Sequence, residues 1–175
     1  FLPIVLREDP PLPPNPTPTP TATQTPTPNE VQLIINPSFE TDAAWEIPHT
    51  VYPAGYSVSR AHSGLRSMRL GIASGNNVYS YSSVQQTVEI PSGATRAMLS
   101  IYYFPVMAWP DADLIYFCVL RASDNSTLDC TFWQDLKQAW NLRTFDLLSY
   151  AGQRIKVHFG VRNDGLGGIS AVHLD

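Results

Sequence analysis

The chain has 175 residues, a formal net charge of −4 and only 15% charged residues. No basic patch or run is present, which argues against nucleic acid as a partner. No apolar stretch approaches the ~20 residues that a membrane-spanning helix needs.

Residues 1–9 open with FLPIVLR, apolar on both faces of an extended strand. Phe1, Leu2, Ile4, Val5 and Leu6 therefore need a partner to bury them. A donated strand that docks in a neighbouring subunit is the expected use. The alternatives are a remnant beside a removed signal, or a peptide folded back on its own domain. Residue 1 is Phe and no charged n-region precedes an apolar h-region, so the chain is expected to lack its export signal.

Residues 10–29 form a Pro/Thr-rich tether. Proline has no N–H to donate and fixes φ, so the segment can be neither helix nor central strand. It is expected to run as polyproline II, reaching roughly 60 Å at full extension.

From residue 30 the pattern is β. Strands are predicted at 31–35, 44–47, 57–60, 67–72, 79–90, 96–106, 114–121, 127–133, 140–146, 154–162 and 169–174. Alternation is clearest late in the chain. Ile155, Val157, Phe159 and Val161 face one way, and Arg154, Lys156, His158 and Arg162 the other. Short helical turns are expected at 134–138 and 148–151. Many short strands separated by turn residues predict an all-β, antiparallel β-sandwich over residues 30–175. Cys118 and Cys130 flank Ser123-Asp124-Asn125-Ser126. A hairpin turning there would set them opposite each other and favour a disulfide over two free thiols. A disulfide and a Thr/Pro tether both suggest an extracellular or cell-surface protein. Asn125-Ser126-Thr127 is also a glycosylation sequon.

Five segments carry a resemblance. They are Asn36-Pro37-Ser38-Phe39-Glu40 with Trp45, the run AHSGLRSMRL at 61–70, Gln85-Gln86-Thr87-Val88 with Pro91, Trp140 with DLLSYAGQ at 146–153, and Leu174-Asp175. In this order they resemble the galactose-binding-like jelly rolls of carbohydrate-binding-module type. The start of the chain also resembles the leaders of tethered surface proteins of thermophilic filamentous bacteria. The jelly-roll resemblance implies one structural Ca²⁺, with Glu40, Asp175 and backbone oxygens near residues 62–64 as ligands. The alternative is that Glu40 is a buried acid hydrogen-bonded to loop amides. It also implies that Trp45 and Trp140 are core residues.

No nucleophile elbow, HExxH, P-loop or GxGxxG occurs, and the four histidines are scattered. The chain is expected not to be an enzyme. Asp111 and Asp113 read as a solvated turn. Sugar modules stack pyranose rings on exposed aromatics and hydrogen-bond the hydroxyls. The candidate contacts are Tyr79, Tyr81 and Trp109, then Tyr102 or Tyr103, with Arg154, His158 and Arg162 lining the same groove. The leading expectation is a non-catalytic subunit that self-assembles through its N-terminal strand into a filament or surface layer. The alternatives are a carbohydrate-binding module of a secreted or cell-surface protein, and a domain whose catalytic partner lies elsewhere.

Overall fold

The computed structural model describes residues 30–107 and 113–175. Residues 1–29, with the expected donor strand and tether, and residues 108–112, with Trp109 and Asp111, lie outside the described residues. The strands are β1 (Gly55–Ser57), β2 (Ser67–Gly71), β3 (Tyr79–Glu89), β4 (Met98–Met107), β5 (Leu114–Arg121), β6 (Thr127–Trp133), β7 (Asn141–Asp146), β8 (Arg154–Asp164) and β9 (Ser170–Leu174). They pair antiparallel in two sheets, ordered β1-β2-β9-β4-β7 and β3-β8-β5-β6. The expected β-sandwich is therefore the observed fold.

The core lies between the sheets, because alternation gives each strand one apolar face. Ile155, Val157, Phe159 and Val161 of β8 and Ile115, Phe117 and Val119 of β5 fill it from one side. Met68, Leu70, Ile101, Val172 and Leu174 of the other sheet meet them. Trp45 is also in this core, with its ring centroid 4.9 Å from that of Phe39.

β5 and β6 form the expected hairpin, in which Cys118 pairs directly with Cys130 and is disulfide-bonded to it. Its turn has a local cause. Asp124 Oδ1 accepts the Ser126 amide at 2.9 Å, and Asn125 takes φ +59°, a left-handed conformation that Asn tolerates.

Five expectations about local structure need correction. The strand predicted at 44–47 is reduced to one isolated bridge, Glu46 with Gln85. Residues 31–35 are not a strand, because the Gln86 side chain takes the place of a ladder. It accepts from Ile35 N at 2.8 Å and donates to Ile35 O at 2.9 Å. The strand predicted at 57–60 is the short β1 instead, since Ser57 and Ser59 bond each other in a local turn. Residues 134–138 hold no helical turn, although a 3-10 turn does form at Leu148–Tyr150. Asp113 is fully buried rather than solvated. Its carboxylate accepts from Asn163 Nδ2 at 3.1 Å and from Asp164 N at 2.7 Å, anchoring the end of β8.

Candidate functional site

The outward face of the four-stranded sheet follows from register. β3, β8, β5 and β6 set Ser83, Gly160, Tyr116 and Phe132 side by side in one row. The neighbouring row is Gln85, His158, Cys118 and Cys130, and on the other flank Tyr81 faces Arg162. Three strand spacings of ~4.8 Å make each full row about 14 Å long. A shallow cleft of about 370 Å³ runs here, lined among others by Tyr81, Tyr116, Phe132, His158 and Arg162.

Aromatic rings cross this face in a chain. The hydroxyls of Tyr79 and Tyr81 are 3.0 Å apart, and the two rings meet edge to face. Tyr81 meets Tyr116 at 6.3 Å between centroids, and Tyr116 meets Phe132 at 6.0 Å. Tyr79, Tyr81 and Phe132 are 63%, 42% and 53% exposed, whereas Tyr116 is buried beneath them. A glycine makes this floor possible. A Cβ at Gly160 would run into the Tyr116 ring, so only glycine lets that ring lie against the sheet.

Polar groups interleave with the rings. Gln85 and His158 are cross-strand partners, and His158 Nδ1 lies 2.9 Å from Gln85 Oε1. His158 Nε2 lies 3.4 Å from the Tyr116 hydroxyl. Both contacts are met by a neutral imidazole that donates from Nδ1 and accepts at Nε2. Burial holds the His158 pKa down to about 4, and the Lys156 ammonium acts in the same direction. Burial also pushes the Tyr116 phenol up to about 12, so it stays a donor. The hydrogen bond with Tyr79 raises Tyr81, with burial adding to it. Glu46 exchanges both backbone hydrogen bonds with Gln85 and covers the outer edge of β3. The hydrogen bond from Gln85 lowers its pKa, against burial and with help from Lys156, 3.4 Å away. The face thus offers neutral donors and acceptors beside the Arg162 guanidinium and the tied Lys156–Glu46 pair.

Tyr79, Tyr81, His158 and Arg162 lie on this one face, the last three of them lining the cleft. Arg154 shares the outward face but pairs with Glu89, eight residues along β8 from Arg162. That is roughly 26 Å away, so it is not part of the cleft. Tyr103 points into the core and donates to Asp135 at 2.8 Å, which removes it as a surface contact. Tyr102 lies on the outward face of the other sheet, stacked on His62 at 3.6 Å. Trp140 joins that cluster against His62 and Phe104 and is half-buried, which corrects its expected place in the core. It follows β4 outward because its partner Phe104 alternates away from the core residue Tyr103. Tyr116 and Phe132 were not singled out by the sequence, and Gln85 only as part of a segment of the resemblance, not as a contact. Gly160 within a strand was the available signal of close approach.

Glu40 and Asp175 flank one loop. Asp175 Oδ2 accepts from the amides of His62 at 2.7 Å and Ser63 at 3.0 Å, and Oδ1 from the Ser63 hydroxyl at 3.0 Å. Glu40 accepts from the amides of Leu65 and Arg66 at 3.0–3.2 Å. Gly64, at φ +62°, leaves the space the Glu40 carboxylate fills. These hard oxygens suit Ca²⁺ in kind. Asp175 already accepts three hydrogen bonds of about four it can take, however, and Glu40 accepts from two amides, one of them shared between its two oxygens. The arrangement also matches an acid hydrogen-bonded to loop amides. No group of three or more His, Cys, Asp or Glu able to hold a metal occurs among the described residues. No helix among them is long and apolar enough to cross a membrane.

The sequence matches no family model, and no curated protein matches it significantly. Solved structures do resemble the fold. The structure of TmCBM61 in complex with β-1,4-galactotriose superposes with a TM-score of 0.59 at 14% identity, covering 83% of this chain and 95% of that one. A family 16 carbohydrate-binding module gives 0.52 at 16% identity, covering 82% and 96%. The enzymatically active domain of tailspike protein 4 from bacteriophage CBA120 gives 0.50 at 13% identity, covering 81% of this chain but only 20% of that one. The fold is that of the carbohydrate-binding-module jelly rolls.

Proposed function

We propose that the outward face of the β3-β8-β5-β6 sheet binds glycans, which makes the chain a non-catalytic carbohydrate-binding module of a secreted or cell-surface protein. One observation carries this: the aromatic chain Tyr79, Tyr81, Tyr116 and Phe132 crosses a cleft whose polar groups are a neutral imidazole, the Asn125 amide, hydroxyls and the Arg162 guanidinium. Ring faces pack against the C–H faces of pyranoses, and the interleaved donors and acceptors suit hydroxyl groups. The fold likeness to sugar-binding modules, one of them solved with β-1,4-galactotriose, supports the same class. The Cys118–Cys130 disulfide supports an oxidising compartment. Self-assembly through Phe1, Leu2, Ile4, Val5 and Leu6 has no such support, since those residues lie outside the described ones.

A broad glycan array probed with the wild-type chain and with Tyr81→Ala tests the proposal. Saturable binding that the variant weakens about tenfold or more is expected. A flat response to every glycan would sink it. Structural Ca²⁺ on Glu40 and Asp175 is a separate proposal. It expects a calorimetric binding isotherm and a lower melting temperature after chelation. An unchanged melting temperature leaves the two carboxylates as clamps of the 62–66 loop alone.

A further inference from the structure

The sandwich opens laterally where β6 and β7 end the two sheets. A cleft of about 300 Å³ lies there, lined by Phe117, Val119, Asp129, Thr131, Arg143 and Tyr150 among others. Phe117 and Phe145 form its apolar floor, 4.1 Å apart between centroids. Register explains why polar groups reach it. Asp129 and Thr131 pair with the core-facing Val119 and Phe117, and Arg143 pairs with the core-facing Ile101. Alternation therefore puts a carboxylate, a hydroxyl and a guanidinium at positions where an apolar residue is expected. The Arg143 guanidinium carbon sits over Trp133, 4.1 Å from the ring centroid. A cation–π contact occupies none of its N–H donors with an acceptor, which leaves them for a ligand.

Asp129, Thr131 and Arg143 form no side-chain hydrogen bond or ion pair with any described residue. The geometry points to a second binding site in this cleft, one that takes a single neutral pyranose unit. Such a ring donates hydroxyls to Asp129, accepts from Arg143, and rests its C–H groups against the partly exposed Phe145, under which Phe117 is buried. The volume is at the small end of the roughly 300–1,000 Å³ range of ligand pockets, which favours one ring over a chain. This site does not depend on the outward-face proposal, being built from other residues. The competing explanation is edge protection, in which inward charges merely block pairing with a further strand.

The test is an NMR amide-shift titration of the full chain with methyl β-D-galactoside, methyl β-D-glucoside and the zwitterion taurine, each to about 50 mM, a range suited to millimolar affinity. Saturable shifts with a glycoside at the amides of Thr131, Arg143, Thr144 and Tyr150 are expected. They should persist in Tyr81→Ala and weaken about tenfold in both Asp129→Ala and Arg143→Met. The methionine keeps an apolar stem over Trp133, so a folded Arg143→Met isolates the guanidinium. No glycoside shift at these amides overturns the assignment, as does a response to taurine alone. Unchanged shifts in a folded Arg143→Met do so too. Aggregation of the variants without any sugar effect establishes edge protection instead.

Discussion

Replacing Gly160 by alanine adds one methyl group at the centre of the candidate site. The new Cβ would collide with Cε1, Cζ and the hydroxyl of Tyr116. Tyr116 is 6% exposed and ringed by Tyr81, Phe132 and His158, so it has little room to tilt. Overpacking of this kind costs about 1–3 kcal/mol. For a domain of this size that lowers the melting temperature by roughly 2–12 °C. Moving the Tyr116 ring also breaks its 3.4 Å contact with His158 and lifts the floor under Tyr81 and Phe132. Glycan affinity should therefore fall even at temperatures where the variant is fully folded. Thermal melts and array binding of Gly160→Ala beside wild type read both effects. A variant with unchanged melting temperature and unchanged binding would refute the packing of Tyr116 on Gly160 as the basis of the site.

Further outcomes follow from single groups. The Cys118–Cys130 bond joins residues 12 apart in sequence; replacing both by alanine removes about 3 kcal/mol in the chain-entropy model, or roughly 6–12 °C in melting temperature, and an unchanged melt would contradict it. Asp113→Ala leaves the Asn163 amide and the Asp164 N–H without their buried acceptor, which should cost at least about 2 kcal/mol by denaturant titration. His158 and His173 have folded pKa values held down to about 4 by burial, with neighbouring cations adding to the shift. Each therefore contributes stability that is complete above the unfolded value near 6.5 and is lost as pH falls from there towards 4. The loss is at most about 3 kcal/mol per histidine. Melts between those limits should show the slope, and His158→Gln should flatten it; an equal slope in the variant would assign the acid sensitivity elsewhere.

Strand positions were legible wherever one face is apolar and the other polar. β8 shows this, with Ile155, Val157, Phe159 and Val161 inward and Lys156, His158 and Arg162 outward. The ends of β5 and β6 were read as observed, because the Ser123–Ser126 turn signals bound them. The outward face was legible only in part. β5 is buried along both faces, so Tyr116 looks like any core aromatic in sequence. Its role depends on register with Gly160 and Phe132, a relation between strands far apart in the chain. Asp113 was misread for a similar reason. The donors that satisfy it come from Asn163 and Asp164, some fifty residues on. Residues 31–35 have β propensity but meet a side chain, Gln86, where a strand would need a backbone partner.

The outward faces of both sheets carry aromatic clusters, and they divide the outcomes of one measurement. An NMR amide-shift map of the full chain, titrated with the strongest array glycan, locates bound sugar directly. The largest shifts should fall on Tyr81, Ser83, Tyr116, Phe132, His158 and Gly160, across β3-β8-β5-β6. Shifts centred instead on His62, Tyr102 and Trp140, or an unresponsive spectrum at saturating glycan, would contradict glycan binding on the four-stranded sheet.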